Sequence, residues 1–217
     1  MRLPRMKKDN SLSEIVYQAI YGQILDGTLK PGEKITESGI SESMGISRAP
    51  VREALKRLAE DRLVTLVPRS GCFVSELSAD EIEEIYEIRK RLECMALEYA
   101  FERFDIKQIK QLRDRFITCK KKTGVTFVKS EIELDTQFHN LISLSSCCPN
   151  LQGMLEKLRA RVDVFRVREA NYVERAEDAL EEHIEVLSAI LDSDKEKAIE
   201  TMAIHIKHTC KNVLTSR

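Results

Sequence analysis

The stretch GISRAPVREALKRLAEDRLV at residues 45–64, followed by PRSGCFV at residues 68–74, decides the fold of the first third of this chain. Its first part predicts a helix capped by Ser47, and Pro50 is tolerated because it lies in the first turn, where its missing N–H needs no partner. The inward face of this helix carries Ala54, Leu55 and Leu58. Three bases follow one another at four-residue steps, Arg48, Arg52 and Lys56. This spacing places the three bases on one ridge along the helix.

The segments around this helix predict two more helices and a β-hairpin. SEIVYQAIYGQILDG at residues 13–27 predicts a first helix. Its apolar stripe consists of Ile15, Ala19, Ile20 and Ile24. Thr36 caps a short second helix that ends at Gly45. The β-rich runs LVTLV and CFVSEL flank the turn PRSG, which predicts a hairpin with Arg69 at its tip. This order of elements is typical of a winged helix-turn-helix, here over residues 10–76.

The basic ridge allows two interpretations. A charged ridge on an isolated helix is usually a solvated face. Beside a wing and within a helix-turn-helix, however, its N-terminal end is free to enter a DNA major groove, where arginine binds guanine O6 and N7 with two hydrogen bonds. The order of elements therefore favours double-stranded DNA as the partner.

LKPGEKI at residues 29–35, together with the two stretches quoted first, resembles the DNA-binding domain of the GntR family. The resemblance covers essentially the whole first domain. It implies that five residues contact DNA, Ser47, Arg48, Arg52, Arg69 and Gly71, to which the ridge adds Lys56. The two helical arginines are expected near the groove floor, and the others on the backbone or in the minor groove. Arg62 departs from the family pattern, which usually has glycine at the end of this helix.

Composition and the N-terminus limit the class of protein. With 217 residues, of which 42% are hydrophobic and 33% charged, the chain is long enough for a small domain and a medium one. No apolar run approaches the roughly 20 residues of a membrane helix, and no signal-like segment follows the basic residues 1–9. We therefore expect a flexible basic arm, a cytoplasmic protein and no membrane partner. The six cysteines lack CxxC spacing and predict reduced thiols.

Residues 78–215 predict an antiparallel all-α bundle. Ser78 and Glu81 have the spacing of a capping box, so a helix starts directly after the wing. Six helices are predicted, at residues 79–102, 106–122, 127–144, 150–170, 175–192 and 195–214. No strand pattern occurs in this part of the sequence. The fold class is therefore mainly α, with β structure in the wing.

Four polar residues interrupt the apolar stripes of three of these helices, Asp135, His139, His183 and His205. Asp135 and His139 stand one turn apart on the same helix. A lone buried histidine is usually a hydrogen-bonded core residue. Four such groups together are costly to bury unless something pairs with them. Three imidazoles and one carboxylate suit a divalent metal ion, namely zinc, nickel or manganese.

Three stretches of the second domain resemble the metal-binding signature of the FCD ligand domain, which follows the winged helix in the FadR-like branch of the GntR family. They are DTQFHNLI at residues 135–142, EEHIEVLSAILDSD at residues 181–194 and AIETMAIHI at residues 198–206. The resemblance implies the metal ligands Asp135, His139, His183 and His205. His208 has no counterpart in that pattern and is expected in a supporting position or at the surface. Six helices resemble the shorter, VanR-like version of the domain.

Arg89 lies within the apolar stripe of its predicted helix, with Glu93 one turn further on. An inward arginine can simply pair with this glutamate. Alternatively it meets an anionic effector, because a guanidinium binds a carboxylate with two hydrogen bonds. Arg161 and Arg166 are weaker candidates of the same kind. A metal with open coordination positions and nearby arginines would suit a small organic acid.

These observations predict a homodimeric transcription regulator, a repressor, whose affinity for an inverted-repeat operator is controlled by a small carboxylate effector. One alternative keeps the DNA-binding domain but makes the metal structural, with no effector. The other is a metal-dependent hydrolase. We expect no enzyme, because no further inward carboxylate offers a general base and the DNA-binding domain would be unexplained.

Overall fold

The computed structural model describes residues 11–166 and 172–215. The chain divides into two compact units, Met1–Glu76 and Leu77–Arg217. The predicted arm at residues 1–9 lies outside the described residues.

The first unit contains three helices and a small antiparallel sheet, in the order α1 (Leu12–Leu25), β1 (Lys34–Ile35), α2 (Glu37–Met44), α3 (Arg48–Glu60), β2 (Val64–Val67) and β3 (Gly71–Val74). Strand β3 lies between β1 and β2. Val64 pairs with Val74 and Val67 pairs with Gly71, so β2 and β3 form the predicted hairpin wing. The winged helix-turn-helix predicted from the sequence is confirmed.

Strand β1 is an element that the sequence pattern did not predict. Its two residues are too few for an alternation of apolar and polar positions to be recognised. Ile35 is buried and pairs with Cys72, the second residue of β3. The chain that leads into α2 is therefore fixed to the wing by a third strand.

Helix α1 turns a different face inward from the one that its apolar stripe predicted. Ile15 and Ala19 are exposed, although the rest of the stripe is buried. Val16 and Tyr17 take their places in the face that packs against α3. The Tyr17 hydroxyl also donates a hydrogen bond to Asp61 Oδ2 over 2.8 Å. This face is favoured because it buries a larger apolar area than one containing alanine.

The C-terminal end of α3 places a residue other than glycine in the left-handed region. Arg62 has a φ of 58°. Its N–H donates to Ala59 O over 3.0 Å, and the N–H of Leu63 donates to Leu58 O over 2.9 Å. These two bonds form a Schellman motif, whose left-handed residue is usually glycine. An L-residue with a Cβ adopts this conformation at a cost of about 1–2 kcal/mol.

The second unit is helical throughout its described residues, with helices α4 (Ala79–Ala100), α5 (Ile106–Cys119), α6 (Gly124–Ser145), α7 (Pro149–Arg166), α8 (Tyr172–Leu191) and α9 (Lys195–Thr215). A short 3-10 turn at Phe101–Arg103 follows α4. The capping box at Ser78 is present. Helix α8 begins at Tyr172, where the sequence predicted a break. The all-α prediction for this part of the chain is confirmed.

One apolar core holds the helices of the second unit together. Helix α4 packs against α6, α7 and α9, while α5 and α9 both pack against α8. The largest fully buried apolar side chains of this core include Leu97, Phe116, Phe138, Ile142, Leu155 and Leu187. Helices α6, α8 and α9, which carry the four polar residues predicted to face inward, therefore meet at a shared interior.

Two further expectations were reduced cysteines and the absence of a membrane-spanning helix. All six cysteines are free thiols, as predicted. Burial raises the pKa of Cys72 and of Cys94 to about 11, so both thiols stay protonated at neutral pH. Within residues 11–166 and 172–215, no helix combines the length and the apolar character that crossing a membrane requires.

We predict that Arg62→Gly stabilises the first unit by about 1 kcal/mol, because glycine removes the left-handed strain, at some cost in unfolded-chain entropy. Hydrogen exchange of the slowest amides of α3, measured in the full chain, reports this change. Arg62→Ala retains the Cβ and serves as the control, for which we expect no slowing. Equal protection in the wild type and the glycine variant would contradict the strain argument.

Candidate functional site

The three bases of α3 lie on its solvent-exposed side. Arg48, Arg52 and Lys56 are exposed, whereas the opposite side buries Val51, Ala54, Leu55 and Leu58. Ser47 occupies the N-cap position, but its side chain makes no capping hydrogen bond, contrary to the prediction. Its exposed hydroxyl is therefore not committed to the helix. An exposed basic ridge with a hydroxyl at its N-terminal end has the chemistry of a DNA-reading surface.

The wing places its tip in an unusual backbone conformation. Arg69 has a φ of 65° and Gly71 a φ of 121°. The N–H of Ser70 donates to Val67 O over 3.0 Å and closes the turn. A Cβ at Gly71 would lie 3.0 Å from Lys34 Cε, so a side chain there would press on β1. The exposed Arg69 is thus presented at the end of a rigid hairpin.

A groove of about 570 Å³ lies between the wing and the helices of the first unit. Its lining includes Thr36, Glu37, Leu55, Arg69 and Gly71. Glu37 accepts two hydrogen bonds from Arg52, from Nε over 3.1 Å and from Nη2 over 2.9 Å. These bonds hold the pKa of Glu37 below its ordinary value. Nothing in the sequence pattern indicated this pair, because the two residues lie on different helices.

In the second unit, the four residues predicted as metal ligands come together. Asp135, His139, His183 and His205 each offer one ligand atom, and these atoms all lie within 4.8 Å of one another. Each side chain is at most 5% exposed. Asp135 Oδ1 lies 3.6 Å from His139 Nε2 and 3.4 Å from His183 Nε2. Two ligands bound to one zinc ion at about 2.0–2.2 Å in tetrahedral geometry lie about 3.3 Å apart.

The donor set fits a divalent metal ion. Carboxylate oxygen and imidazole nitrogen are ordinary ligands of zinc, nickel and manganese. Burial lowers the pKa of His205 to about 4, so this imidazole is neutral at pH 7 and keeps a lone pair for a metal. Bound there, a metal ion would supply a buried positive charge, and an ion that accepts more than four ligands, such as nickel or manganese, would leave positions for an oxygen ligand.

Glu182 supports one of the histidines from outside the cluster. Its Oε2 lies 2.7 Å from His205 Nδ1, and its Oε1 lies 2.7 Å from His208 Nδ1. Metal-binding histidines typically donate their second N–H to a carboxylate in this manner, which fixes the ring and its tautomer. His208 is 53% exposed, so it lies at the surface and reaches the site only through Glu182. The sequence pattern did not indicate Glu182, which lies beside the apolar stripe of α8.

A second carboxylate lies beneath His139. Glu93 is fully buried, and its Oε1 lies 3.2 Å from His139 Nδ1. The same oxygen accepts from Arg159, whose Nη2 is 3.2 Å away, and from Arg89 Nε over 3.4 Å. Burial alone would raise the pKa of Glu93, but the neighbouring donors His139 and Arg159 hold it well below its ordinary value. Glu93 therefore stays ionised and orients the His139 ring.

Arg89 touches both the carboxylate and the histidine cluster. It is 2% exposed, and besides contacting Glu93 its Nη2 donates to His139 Nε2 over 3.0 Å. The pairing with Glu93 that the sequence allowed is present. The contact with a predicted metal ligand was not foreseen.

The two other arginines predicted to bind an effector, Arg161 and Arg166, lie on α7. Arg161 is half-buried on α7. Arg166 is the last described residue of α7, and its side chain lies outside the described residues. Arg159, which was not predicted, reaches the cluster through Glu93 and also donates to Asn140 Oδ1 over 2.6 Å.

The sequence indicated no further inward carboxylate as an obvious general base, but two carboxylates outside the four-residue cluster are buried. Glu93 and Glu131 are both buried. Glu93 was assigned as a pairing partner and Glu131 was overlooked, because a charged residue in an apolar stripe is normally placed on the solvent side. The aromatic rings of Phe116 and Phe138 pack against His183, with ring centroids 5.0 Å and 4.5 Å away. These rings shield one side of the cluster from water.

Comparison with known families covers most of the chain. Residues 12–74 match the model described as bacterial regulatory proteins, gntR family. Residues 84–208 match the FCD domain. Both matches lie where the sequence resemblance placed them, and that resemblance is confirmed.

Individual relatives of the chain are also named transcription regulators. The chain is 30% identical to the HTH-type transcriptional regulator YdhC of Bacillus subtilis (strain 168), covering 91% of this chain and 88% of that protein. It is 27% identical to the HTH-type transcriptional repressor RspR of Escherichia coli (strain K12), covering 93% and 89%. The solved structure of E. coli McbR/YncC superposes with a TM-score of 0.77 at 27% identity, covering 94% of this chain and 98% of that one.

The matched families and relatives are transcription regulators and not enzymes. The exposed basic ridge, the wing and the helical unit described above are the parts that such a regulator requires. The chain belongs to the gntR family of bacterial regulatory proteins, carries an FCD domain, and is a DNA-binding transcription regulator.

Proposed function

We propose that the protein is a homodimeric repressor whose DNA binding is controlled by a small carboxylate effector at a metal centre in the helical unit. The buried cluster of three histidines and one aspartate, with Arg89 in contact with it, carries this proposal. Paired DNA-binding units in a symmetric dimer fit an inverted-repeat operator. The relative RspR is named a repressor, and its similarity over most of the chain supports the same sign of regulation here.

The DNA-binding residues of the proposal are those of the exposed ridge and the wing. Arg48 and Arg52 read bases, with Lys56 and Ser47 on phosphates and Arg69 and Gly71 at the wing. Arginine can bind guanine O6 and N7 together, which discriminates against other bases by about 1–3 kcal/mol. The lysine adds attraction to phosphate that depends on salt but not on sequence, and the hydroxyl adds a hydrogen bond to phosphate that is also independent of sequence.

The balance of charge around the metal centre favours an anionic effector. Among the groups that contact the histidines or the carboxylates bound to them, Asp135, Glu93 and Glu182 supply three negative charges, whereas Arg89, Arg159 and a divalent cation supply four positive ones. A carboxylate would compensate the excess and could use an open coordination position.

Arg89 connects the metal centre to the effector. In the structure its Nη2 donates to His139 Nε2. If that nitrogen held a metal ion, its lone pair would not be available to Arg89. The guanidinium would then be able to bind the carboxylate of the effector. The metal site and the effector site would thus be adjacent, and the effector would change operator affinity only if it bound one state of the dimer more tightly.

For the DNA-binding half, we expect Arg52→Ala to weaken binding about tenfold, because one bidentate base contact is lost. The probe is a duplex enriched by the wild-type protein from a random-sequence library, and the readout is its Kd by gel shift. Arg91→Ala, which removes an arginine 77% exposed on α4, is the control and should bind as the wild type does. Unchanged affinity of Arg52→Ala would contradict the assignment of the recognition helix.

For the metal centre, we expect the purified chain to bind about one divalent ion, and His183→Ala to lose it. His208→Ala is the matched control, since this histidine is exposed and outside the cluster, and it should retain the metal. Elemental analysis after dialysis against zinc, nickel or manganese measures the occupancy. Absence of metal from the wild type under all three conditions would rule out the site.

For the effector, a thermal-shift screen of metal-loaded protein against small organic acids should find at least one that raises Tm. We expect Arg89→Lys to lose most of this shift, because lysine keeps the charge but not the two-point contact. Arg91→Lys, at an exposed position on the same helix, should keep it.

Removing the metal with a chelator distinguishes this proposal from the alternative in which the metal is purely structural. If the metal takes part in effector binding, its removal abolishes the shift caused by the acid. If removal lowers the Tm of the free protein but leaves that shift intact, the metal is structural and the effector proposal fails.

A further inference from the structure

The strongest unassigned feature of the first unit is the ion pair between α2 and α3. Glu37 is the first residue of α2, and Arg52 lies one turn into α3 from Arg48. The two side chains meet through two hydrogen bonds of 3.1 Å and 2.9 Å. Both are solvent-accessible, with the Arg52 side chain 70% exposed and that of Glu37 35% exposed. An exposed pair of this kind adds little to stability.

The geometry of the pair leaves one edge of the guanidinium free. Glu37 accepts hydrogen bonds from Nε and Nη2 of Arg52, which form the edge of the guanidinium group nearest the protein backbone. A guanidinium has five N–H donors in a fixed plane. The remaining N–H donors, on Nη1 and Nη2, lie at the outer end of the guanidinium group. One N–H of each nitrogen points outward, and these two bonds are parallel. This end has the donor spacing that matches guanine O6 and N7.

Glu37 itself is held in place by the start of α2. Thr36 is the N-cap residue, and its Oγ1 accepts a hydrogen bond from the N–H of Gly39 over 3.2 Å. A Cβ at Gly39 would lie 2.8 Å from that oxygen, so the capping geometry depends on glycine. The carboxylate also lies in the first turn of the helix, where the helix dipole favours a negative charge. The capped start of α2 therefore fixes the main chain from which the Glu37 side chain extends.

We propose that Glu37 is a specificity-determining positioning residue, which holds the Arg52 guanidinium so that its free end is presented to one base pair of the operator. The inference rests on the proposed base-reading role of Arg52. Glu37 does not touch DNA bases itself in this account. It fixes the plane of the arginine before binding, which reduces the conformational entropy lost when the base contact forms.

The pair has a second consequence for sequence-independent binding. A free arginine at the protein surface binds any nearby phosphate. Glu37 offsets the charge of Arg52 and occupies two of its donors, so phosphate contacts by this arginine are disfavoured. Within residues 11–166 and 172–215, Arg48 forms no hydrogen bond or ion pair with Glu37, although its charge also lowers the pKa of Glu37 after that of Arg52. The two arginines of α3 therefore differ: the side chain of Arg52 is held in one orientation, whereas that of Arg48 keeps more conformational freedom.

The test compares DNA sequences enriched from a random-sequence duplex library by four forms of the full-length protein. These are the wild type, Glu37→Ala, Glu37→Gln and Glu42→Ala. Glu42 is an exposed carboxylate on the same helix, so its removal changes the charge of α2 equally without releasing Arg52. Binding to a fixed random-sequence duplex is measured in parallel at several salt concentrations.

We expect Glu37→Ala to lose the base preference at one base pair of each half-site and to keep the others. Its affinity ratio between the enriched and the random duplex should fall about tenfold, as for a lost bidentate contact. The slope of log K against log salt on random DNA should steepen by about one, because Arg52 is released to bind phosphate. Glu37→Gln, which keeps one acceptor oxygen, should show the same loss at the same base pair to a smaller extent. Glu42→Ala should retain the full preference.

An enriched sequence identical for the wild type and both Glu37 variants overturns the inference. A loss of preference in Glu42→Ala that equals the loss in Glu37→Ala also overturns it, since charge alone would then be the cause. Arg52→Ala distinguishes this failure from failure of the proposed function. If Arg52→Ala loses the preference and the Glu37 variants keep it, Arg52 reads the base without Glu37. If Arg52→Ala keeps the preference, the base-reading role itself is wrong.

Discussion

The helical unit is organised by the need to compensate charged and polar groups that it removes from water. Burying an ionised carboxylate or a guanidinium without a partner costs several kcal/mol, which is comparable with the whole stability of a domain. Arg89 and Glu93 are nevertheless almost completely buried, beside three histidines and Asp135. Hydrogen bonds from two arginines satisfy one oxygen of Glu93. The proposed divalent cation, together with an anionic ligand, would compensate these buried groups.

The arrangement has an inner and an outer layer of ligands. Asp135 and the three imidazoles face a common centre, while Glu93 and Glu182 contact the far nitrogens of His139 and His205. These outer carboxylates would hold the rings in the orientation that the proposed metal ion requires. The apolar rings of Phe116 and Phe138 close one side. Because α4, α6, α8 and α9 all contribute side chains, a ligand bound at the proposed centre would affect most helices of the unit.

Periodicity predicted the parts of this account that depend on a single helix. The inward positions of Asp135, His139, His183 and His205 follow from their places in apolar stripes, and the wing follows from its turn residues. Contacts between different elements cannot be predicted from the periodicity of one helix. Glu37 pairs with Arg52 from another helix, Glu182 lies beside its stripe rather than in it, and Arg159 reaches the cluster through Glu93 of α4. On α1, two overlapping stripes competed, and packing against α3 selected the one containing Val16 and Tyr17.

The central claim is that the four buried side chains hold one divalent ion. X-ray absorption at the metal edge, recorded on full-length protein loaded with zinc, tests it most directly. The account predicts a first shell of nitrogen and oxygen at about 2.0–2.2 Å, with outer-shell scattering typical of imidazole rings. A shell of sulfur at about 2.3 Å, or of oxygen atoms without imidazole scattering, would contradict it, because the metal would then be bound elsewhere on the chain.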